Sequence, residues 1–283
     1  MRLSSATRVI NLEKKLEERN KKLESAYETI TSDLCIAAKI QDELLPRQYK
    51  LNRFNTSWIF KPAHYVSGDL FDYFPIYEQY LAFYILDVEG HGIPSALTTF
   101  SVNNQLNPSS RGMCARYIRS CKSIDDACVE TVTELNRQFA RNLKGGRYFT
   151  MIYGIIDIDT GRVAMTQAGH PPAIHASSST GEVALIGDGG LPVGLLEEAT
   201  YQSVSCELTV GDRLFVYSDG TLECTNPEEE FYGKERLATG IKKWSDKPVN
   251  EVSKNLDNEF RQWNGSDQFD DDVSMVVFEY TEH

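Results

Sequence analysis

Four aspartates stand where strand-like runs meet glycine or turn residues, far apart along the chain. They are Asp69 in V-S-G-D-L-F-D-Y, Asp87 in L-A-F-Y-I-L-D-V-E-G-H-G, Asp219 in D-R-L-F-V-Y-S-D-G, and Asp271 within Asp270-Asp271-Asp272, which opens the apolar run Val273 to Phe278. A carboxylate delivered by a buried strand into a turn puts charge where water is scarce, and a hard divalent cation is its usual partner. Asp-Gly after a strand is by itself only a turn signal, because both residues tolerate the backbone angles a turn demands. Recurrence of the arrangement at four places points instead to one convergent oxygen-ligand site. Carboxylates, backbone carbonyls and water suit magnesium or manganese. Asp87 ends the most apolar of these strands and is the candidate to bridge two ions.

Two ions held by such a site can activate a water and clamp a phosphoryl group for in-line attack, with no protein nucleophile. Consistent with that, the sequence contains neither G-x-S-x-G nor a plausible Cys/His nucleophile pair. An acidic pocket repels a phosphorylated substrate unless metal charge reverses the local field, so activity is expected to depend strictly on metal. His91 in G-H-G reads either as a general acid on the leaving oxygen or as a residue that shapes the turn. His170 in A-G-H-P-P reads as structural, because the prolines imply a rigid turn.

The elements that must position these groups are mostly strands. F-N-T-S-W-I-F-K-P-A, Asp72 to Pro75 and Leu81 to Val88 read as the first three. Gly92-Ile93-Pro94-Ser95 opens a helix to about Asn104, with Pro94 suited to a first turn. Asn107 to Gly112 is a loop. Ser123-Ile124-Asp125-Asp126 resembles a capping box, and Ile124, Ala127, Cys128, Thr131, Leu135 and Phe139 follow at helical spacing to an end near Gly145-Gly146. Tyr148–Asp157 and Arg162–Gln167 flank the turn Asp159-Thr160-Gly161 as a hairpin. Ser177 to Thr180 is a Ser-rich loop. Strands follow at Ser203–Leu208 and Arg213–Ser218, then a helical region from about Lys234 to Trp263 broken near Pro248, and a last strand Val273–Tyr280. Hairpin connectors dominate and strands do not alternate regularly with helices, so the body is expected to be α+β with antiparallel sheet.

Residues from about Val9 to Leu45 differ from all that follows. Leu16, Leu23, Ile30, Ala37 and Leu44 recur every seven residues, with Leu12, Ala26 and Ile40 on the companion row and Arg19 and Asp33 interrupting it. That repeat predicts a parallel coiled coil, hence a homodimer, in preference to an amphipathic helix packed on the body. The charged early half offers too little apolar surface to dock as a monomer. Pro46 ends the helix. The division expected is a helical segment 1–46 and a body 47–283.

With 283 residues, 41% of them hydrophobic, the chain suffices for one large domain or two small ones. It carries 41 acidic against 29 basic residues, a net charge of -12, which argues against nucleic acid or an anionic membrane as the main partner. No apolar stretch approaches the roughly 20 residues of a membrane span, and M-R-L-S-S-A-T-R lacks the apolar core of a signal peptide. The expected location is the cytoplasm. None of the six cysteines forms a C-x-x-C pair. Cys114, Cys121 and Cys128, seven apart, suggest one packed helix side rather than a soft-metal site or disulfides.

D-V-E-G-H-G, the Ser67-Gly68-Asp69 turn, A-G-H-P-P, L-P-V-G-L-L, Y-S-D-G and D-D-V-S together resemble the metal-dependent protein phosphatase family (PPM, type 2C-like), in its bacterial SpoIIE/RsbU-type serine phosphatase branch. The similarity runs in order from about Ala37 to Phe278 and includes I-Q-D-E-L-L-P. It implies an α-β-β-α sandwich of two antiparallel sheets holding two manganese or magnesium ions. It also implies hydrolysis of phosphoserine or phosphothreonine on a regulatory protein, a STAS-type anti-sigma-factor antagonist in many relatives. Carried over by position, Asp87 matches the bridging ligand, Val88 a backbone-carbonyl ligand, Asp219 and Asp271 further direct ligands, and Asp69 a ligand acting through water. Asp271 is taken over Asp272 because the following residue is the Asn-like position of the wider family. Helices such as 1–46 often join an upstream sensor or receiver module to the phosphatase in this branch. Three departures stand out: Glu89 replaces a small Ser or Thr, Ser67 replaces a glycine, and no arginine matches the phosphate-binding one of eukaryotic relatives. The competing readings are a catalytically silent scaffold of the same fold and a metal phosphodiesterase for small molecules, which would ordinarily use more than the five histidines present.

Overall fold

The structure, a computed structural model, describes residues 2–46, 53–106, 113–142 and 147–282. It falls into two compact units, Met1–Glu43 and Leu44–His283. The first is nearly all of helix α1 (Arg2–Leu44), which ends just ahead of Pro46. It begins seven residues before the heptad repeat. Leu16 and Leu23 on that repeat are 60% and 70% exposed, and Leu12, Ile30 and Ile40 are exposed as well.

The second unit carries two five-stranded sheets, every pairing antiparallel. One has the order β1-β10-β9-β6-β7, from Phe54–Lys61 (β1), Ala173–Ala176 (β6), Val183–Ile186 (β7), Arg213–Tyr217 (β9) and Val273–Tyr280 (β10). The other has the order β2-β3-β4-β5-β8, from Asp69–Ile76 (β2), Tyr80–Val88 (β3), Phe149–Asp157 (β4), Arg162–Ala168 (β5) and Ser203–Glu207 (β8). The sheets meet through aromatic side chains. Phe278 of β10 lies 5.6 Å from Tyr73 and 5.0 Å from Phe83, ring centroid to centroid. Burying a ring of this size contributes about 1.5–3 kcal/mol. A Cβ on Gly154, opposite Phe83 in the ladder, would stand 2.2 Å from that ring, so the glycine is what admits it.

Helices cover both outer faces. Over the second sheet lie α2 (Ile93–Leu106), α3 (Met113–Ser120) and α4 (Ile124–Asn142). Ser123 caps α4, its hydroxyl accepting from the Asp126 N–H at 3.1 Å. Against the first sheet pack α6 (Gly233–Lys243) and α7 (Val249–Asn264), α7 ending on Gly265 in the left-handed conformation (φ 70). A single turn, α5 (Gly220–Glu223), follows β9. This is the α-β-β-α sandwich expected. Strand β3 is buried on both faces, which is why its sequence is a continuous apolar run rather than an alternating one.

Some elements differ from expectation. Helices α3 and α5 and strands β6 and β7 were not foreseen: each spans only four to eight residues, too short to show a period. The three cysteines do not share a helix side. Cys114 is on α3, Cys121 in the following turn and Cys128 on α4, although Cys114 and Cys128 are buried as small hydrophobes. The loop Asn107–Gly112 and the helix end near Gly145-Gly146 lie outside the described residues.

Candidate metal centre

All four sequence-selected aspartates come from strand ends, two from each sheet. In the second sheet, Asp69 opens β2 and pairs in register with Asp87, one residue before the end of β3. In the first, Asp219 follows β9 and Asp271 precedes β10, its ladder neighbour. Gly220 permits their approach: a Cβ there would stand 2.2 Å from the Asp272 carbonyl oxygen and 3.4 Å from the Asp271 Cβ. Face-to-face packing of the sheets then brings the two pairs together.

The electrostatics record that convergence. Asp69 is 1% exposed, and burial, then Asp87 and Asp272, hold its carboxyl well above the usual range, opposed by the hydroxyls of Ser274 and Ser218. Asp87 is pushed up to about 8 by burial and then by Asp219, Asp271 and Asp272. Burial also raises Asp219 and Asp271. Desolvated carboxylates in mutual repulsion are what a bound cation relieves. The backbone fits as well: a Cβ on Gly68 would stand 3.1 Å from the Val88 carbonyl oxygen and 3.4 Å from that of Gly90, so the glycine leaves those oxygens uncovered. The carboxylates and carbonyls gathered here are all oxygen atoms, the donor type that suits manganese or magnesium. Among the described residues no three His, Cys, Asp or Glu side chains are arranged to hold an ion as they stand.

Asp271 and Asp272 are engaged differently. Asp272 accepts from the Ala63 N–H through one oxygen and the Gly68 N–H through the other, both at 2.7 Å. Asp271 accepts its neighbour's N–H, from Asp272 at 2.8 Å. Asp272 thus ties the turn before Asp69 to the start of β10. Sequence reading missed this role, along with those of Ser218, Ser274 and Ser95. The first two lie inside the Y-S-D-G and D-D-V-S motifs, and Ser95 opens α2 fully buried.

His91 is exposed, and its charge opposes the upward shift of Asp271. Its ring meets that of His64 edge-on at 5.0 Å, a neighbour no sequence pattern announced. Glu89 is exposed, and its carboxylate pushes the Tyr148 hydroxyl above its ordinary value. His170 is buried against the Thr150 hydroxyl at 2.7 Å, and burial lowers it to about 3, in keeping with a structural role.

These shifts predict a pH dependence for the metal-free protein. Asp87 at about 8, and Asp72 raised by burial to about 7, keep protons that the unfolded chain releases near its ordinary value of 3.8. A raised carboxyl favours the protonated fold, so stability falls as pH climbs through this range. His170 acts oppositely, costing stability below its ordinary 6.5 and nothing above it. Between pH ~6.5 and ~8.5 only the carboxylates matter, and Tm is expected to fall. Manganese should restore it. A flat or rising Tm across that window would contradict the cluster.

The two facing antiparallel sheets, their helical covers and the carboxylates at the strand ends define a PP2C-type fold. The solved SiaA PP2C domain of Pseudomonas aeruginosa superposes with a TM-score of 0.75 at 19% identity, covering 90% of this chain and 98% of that one. RsbX, solved in complex with magnesium, superposes with a TM-score of 0.57 at 13% identity, covering 83% of this chain and 99% of that one. Residues 77–281 match the family Stage II sporulation protein E (SpoIIE), and the chain belongs to it. Phosphoserine phosphatase RsbP of Bacillus subtilis (strain 168) is 33% identical over 193 residues, 68% of this chain. The match spans 46% of RsbP, so the chain covers about half the length of that relative. Among the described residues no helix is long and apolar enough to cross a membrane.

Proposed function

We propose that this chain is a metal-dependent phosphoprotein phosphatase that hydrolyses phosphoserine or phosphothreonine on a regulatory protein. The observation that carries the reading is the set of carboxylates drawn from both sheets and pressed into mutual repulsion around Asp87. Asp69, Asp87, Asp219, Asp271 and the Val88 carbonyl would hold two manganese or magnesium ions. When bound, such ions supply Lewis acidity and an activated water at neutral pH. Asp272 and the Ser218 and Ser274 hydroxyls keep the ligands in place. His91, exposed beside Asp271, is suited to deliver a proton to the leaving serine oxygen.

The substrate class extends the likeness to RsbP, whose name specifies phosphoserine; a STAS-type antagonist is the specific candidate. Helix 1–46, distinct from the body 47–283, would form a homodimeric coiled coil and pass a signal from an upstream module. Its exposed leucines support that part of the reading. Equal activity after removal of residues 1–43 would count against the regulatory role.

The direct test is hydrolysis of p-nitrophenyl phosphate and of a phosphoserine peptide by the whole chain, with manganese and with EDTA. Turnover with manganese that EDTA abolishes is the expected result. Turnover that persists in EDTA would overturn a metal-dependent mechanism.

A further inference from the structure

A phosphatase centre must receive a dianion, and the structure brings to the turns that flank the acidic cluster a cation that sequence reading did not select. Arg147 lies two residues ahead of β4. The antiparallel register Asp87↔Thr150 and Val88↔Phe149 continues through the Glu89 N–H, which donates to the Tyr148 carbonyl at 3.1 Å. Arg147 therefore comes opposite the Gly90 turn, just beyond Asp87. Its guanidinium Nη1 donates to the Ser95 hydroxyl at 3.4 Å. That hydroxyl in turn donates to the Glu89 carbonyl at 3.4 Å, and the Ser95 Cβ lies 3.5 Å from where a Cβ on Gly68 would sit. One fully buried serine thus joins the Gly68–Asp69 turn, the Glu89–Gly90 turn and the guanidinium.

The other described arginines of the body are committed elsewhere. Arg137, Arg141, Arg162, Arg213 and Arg261 pair with carboxylates, while Arg53, Arg116, Arg119 and Arg236 lie over aromatic rings. Arg147 does neither: among the described residues no carboxylate lies within 4 Å of it, and it stacks on no ring. A half-buried guanidinium left without an acid, held by the serine that links the Gly68–Asp69 and Glu89–Gly90 turns, is poised for an anion from outside. Its planar fork of N–H donors matches phosphate oxygens in a way an ammonium does not.

We infer that Arg147 binds the phosphoryl group, its N–H groups donating to non-bridging oxygens of the phosphoserine substrate and of the phosphate product, with Ser95 fixing its position. The inference rests on the phosphatase reading above. It assigns Arg147 substrate recognition and no part in holding metal. The test compares the manganese-loaded whole chain with Arg147→Met, which keeps an apolar stem, and Arg147→Lys, which keeps the charge without the fork. The readouts are the inhibition constant of inorganic phosphate, KM for p-nitrophenyl phosphate, and manganese affinity by calorimetry. Loss of a charged hydrogen-bond donor should raise the phosphate constant about 10- to 100-fold in Arg147→Met. Arg147→Lys should fall between, and manganese affinity should hold in both. An unchanged phosphate constant in an active Arg147→Met protein would overturn the assignment while leaving the phosphatase reading intact. A parallel loss of manganese affinity would also overturn it, making Arg147 a support of the metal site. Wild-type protein that neither turns over nor binds phosphate would overturn the phosphatase reading itself.

Discussion

Asp87→Asn is expected to abolish manganese-dependent hydrolysis and to weaken manganese binding by more than the roughly 10- to 100-fold that loss of an outer-shell partner costs. Asparagine keeps the volume and one oxygen but loses the charge and the second carboxylate oxygen that the proposed metal site would use. The same change should stabilise the metal-free protein. Asp87 is raised to about 8 by burial and by three neighbouring carboxylates, so near pH 8 and above the native fold carries an ionised group in an unfavourable place. Asp87→Asn protein without metal should therefore unfold at a higher temperature than wild type under those conditions, and manganese should no longer add stability. Opposite signs for stability and activity separate a ligand cluster from a structural one. A silent scaffold would keep its biological effect in this variant. Manganese-dependent turnover surviving in Asp87→Asn would rule out the bridging role.

The second large effect concerns a residue that touches no ion in this reading. Asp272→Ala should weaken manganese binding about 10- to 100-fold, as loss of an outer-shell partner does. Its carboxylate closes two 2.7 Å hydrogen bonds, to Ala63 and Gly68, five residues apart on either side of the bend that delivers Asp69. Truncation strands both N–H groups, at about 1–3 kcal/mol each where water cannot replace the partner. Asp272→Asn retains one acceptor oxygen and should restore part of the affinity. Asp271→Asn should behave as loss of a ligand, with little cost to the stability of the metal-free fold. Manganese titration of each folded variant decides between the two adjacent residues. Wild-type affinity in Asp272→Ala, or a larger loss there than in Asp271→Asn, would reverse their roles.

Much of this was legible in the sequence. Long apolar runs, hairpin connectors and the Ser123 cap gave β3, β4, β5, β10 and α4 close to their observed bounds, because a half- or fully buried element must write its period into the chain. The four aspartates were legible for a related reason: an acid at the end of an apolar strand has no packing explanation. Short elements such as β6, β7 and α3 were not legible, since four to eight residues cannot show a period and their pairing partners lie far away. The shared cysteine side failed because a seven-residue spacing cannot tell one helix from two joined by a turn.

What sequence determined by itself was the class of fold, the four strand-end carboxylates and the elements that bear them. What only the tertiary structure decided was which groups meet. Asp272 turns to two backbone N–H groups and leaves Asp271 outward, although the two are alike and adjacent in the chain. Ser95 and Arg147, 52 residues apart, are joined because β4 runs beside β3 and α2 folds back over the turn between them. Spacing along a chain cannot encode such contacts. They are fixed by strand register and sheet packing, through which distant side chains come to share one desolvated space.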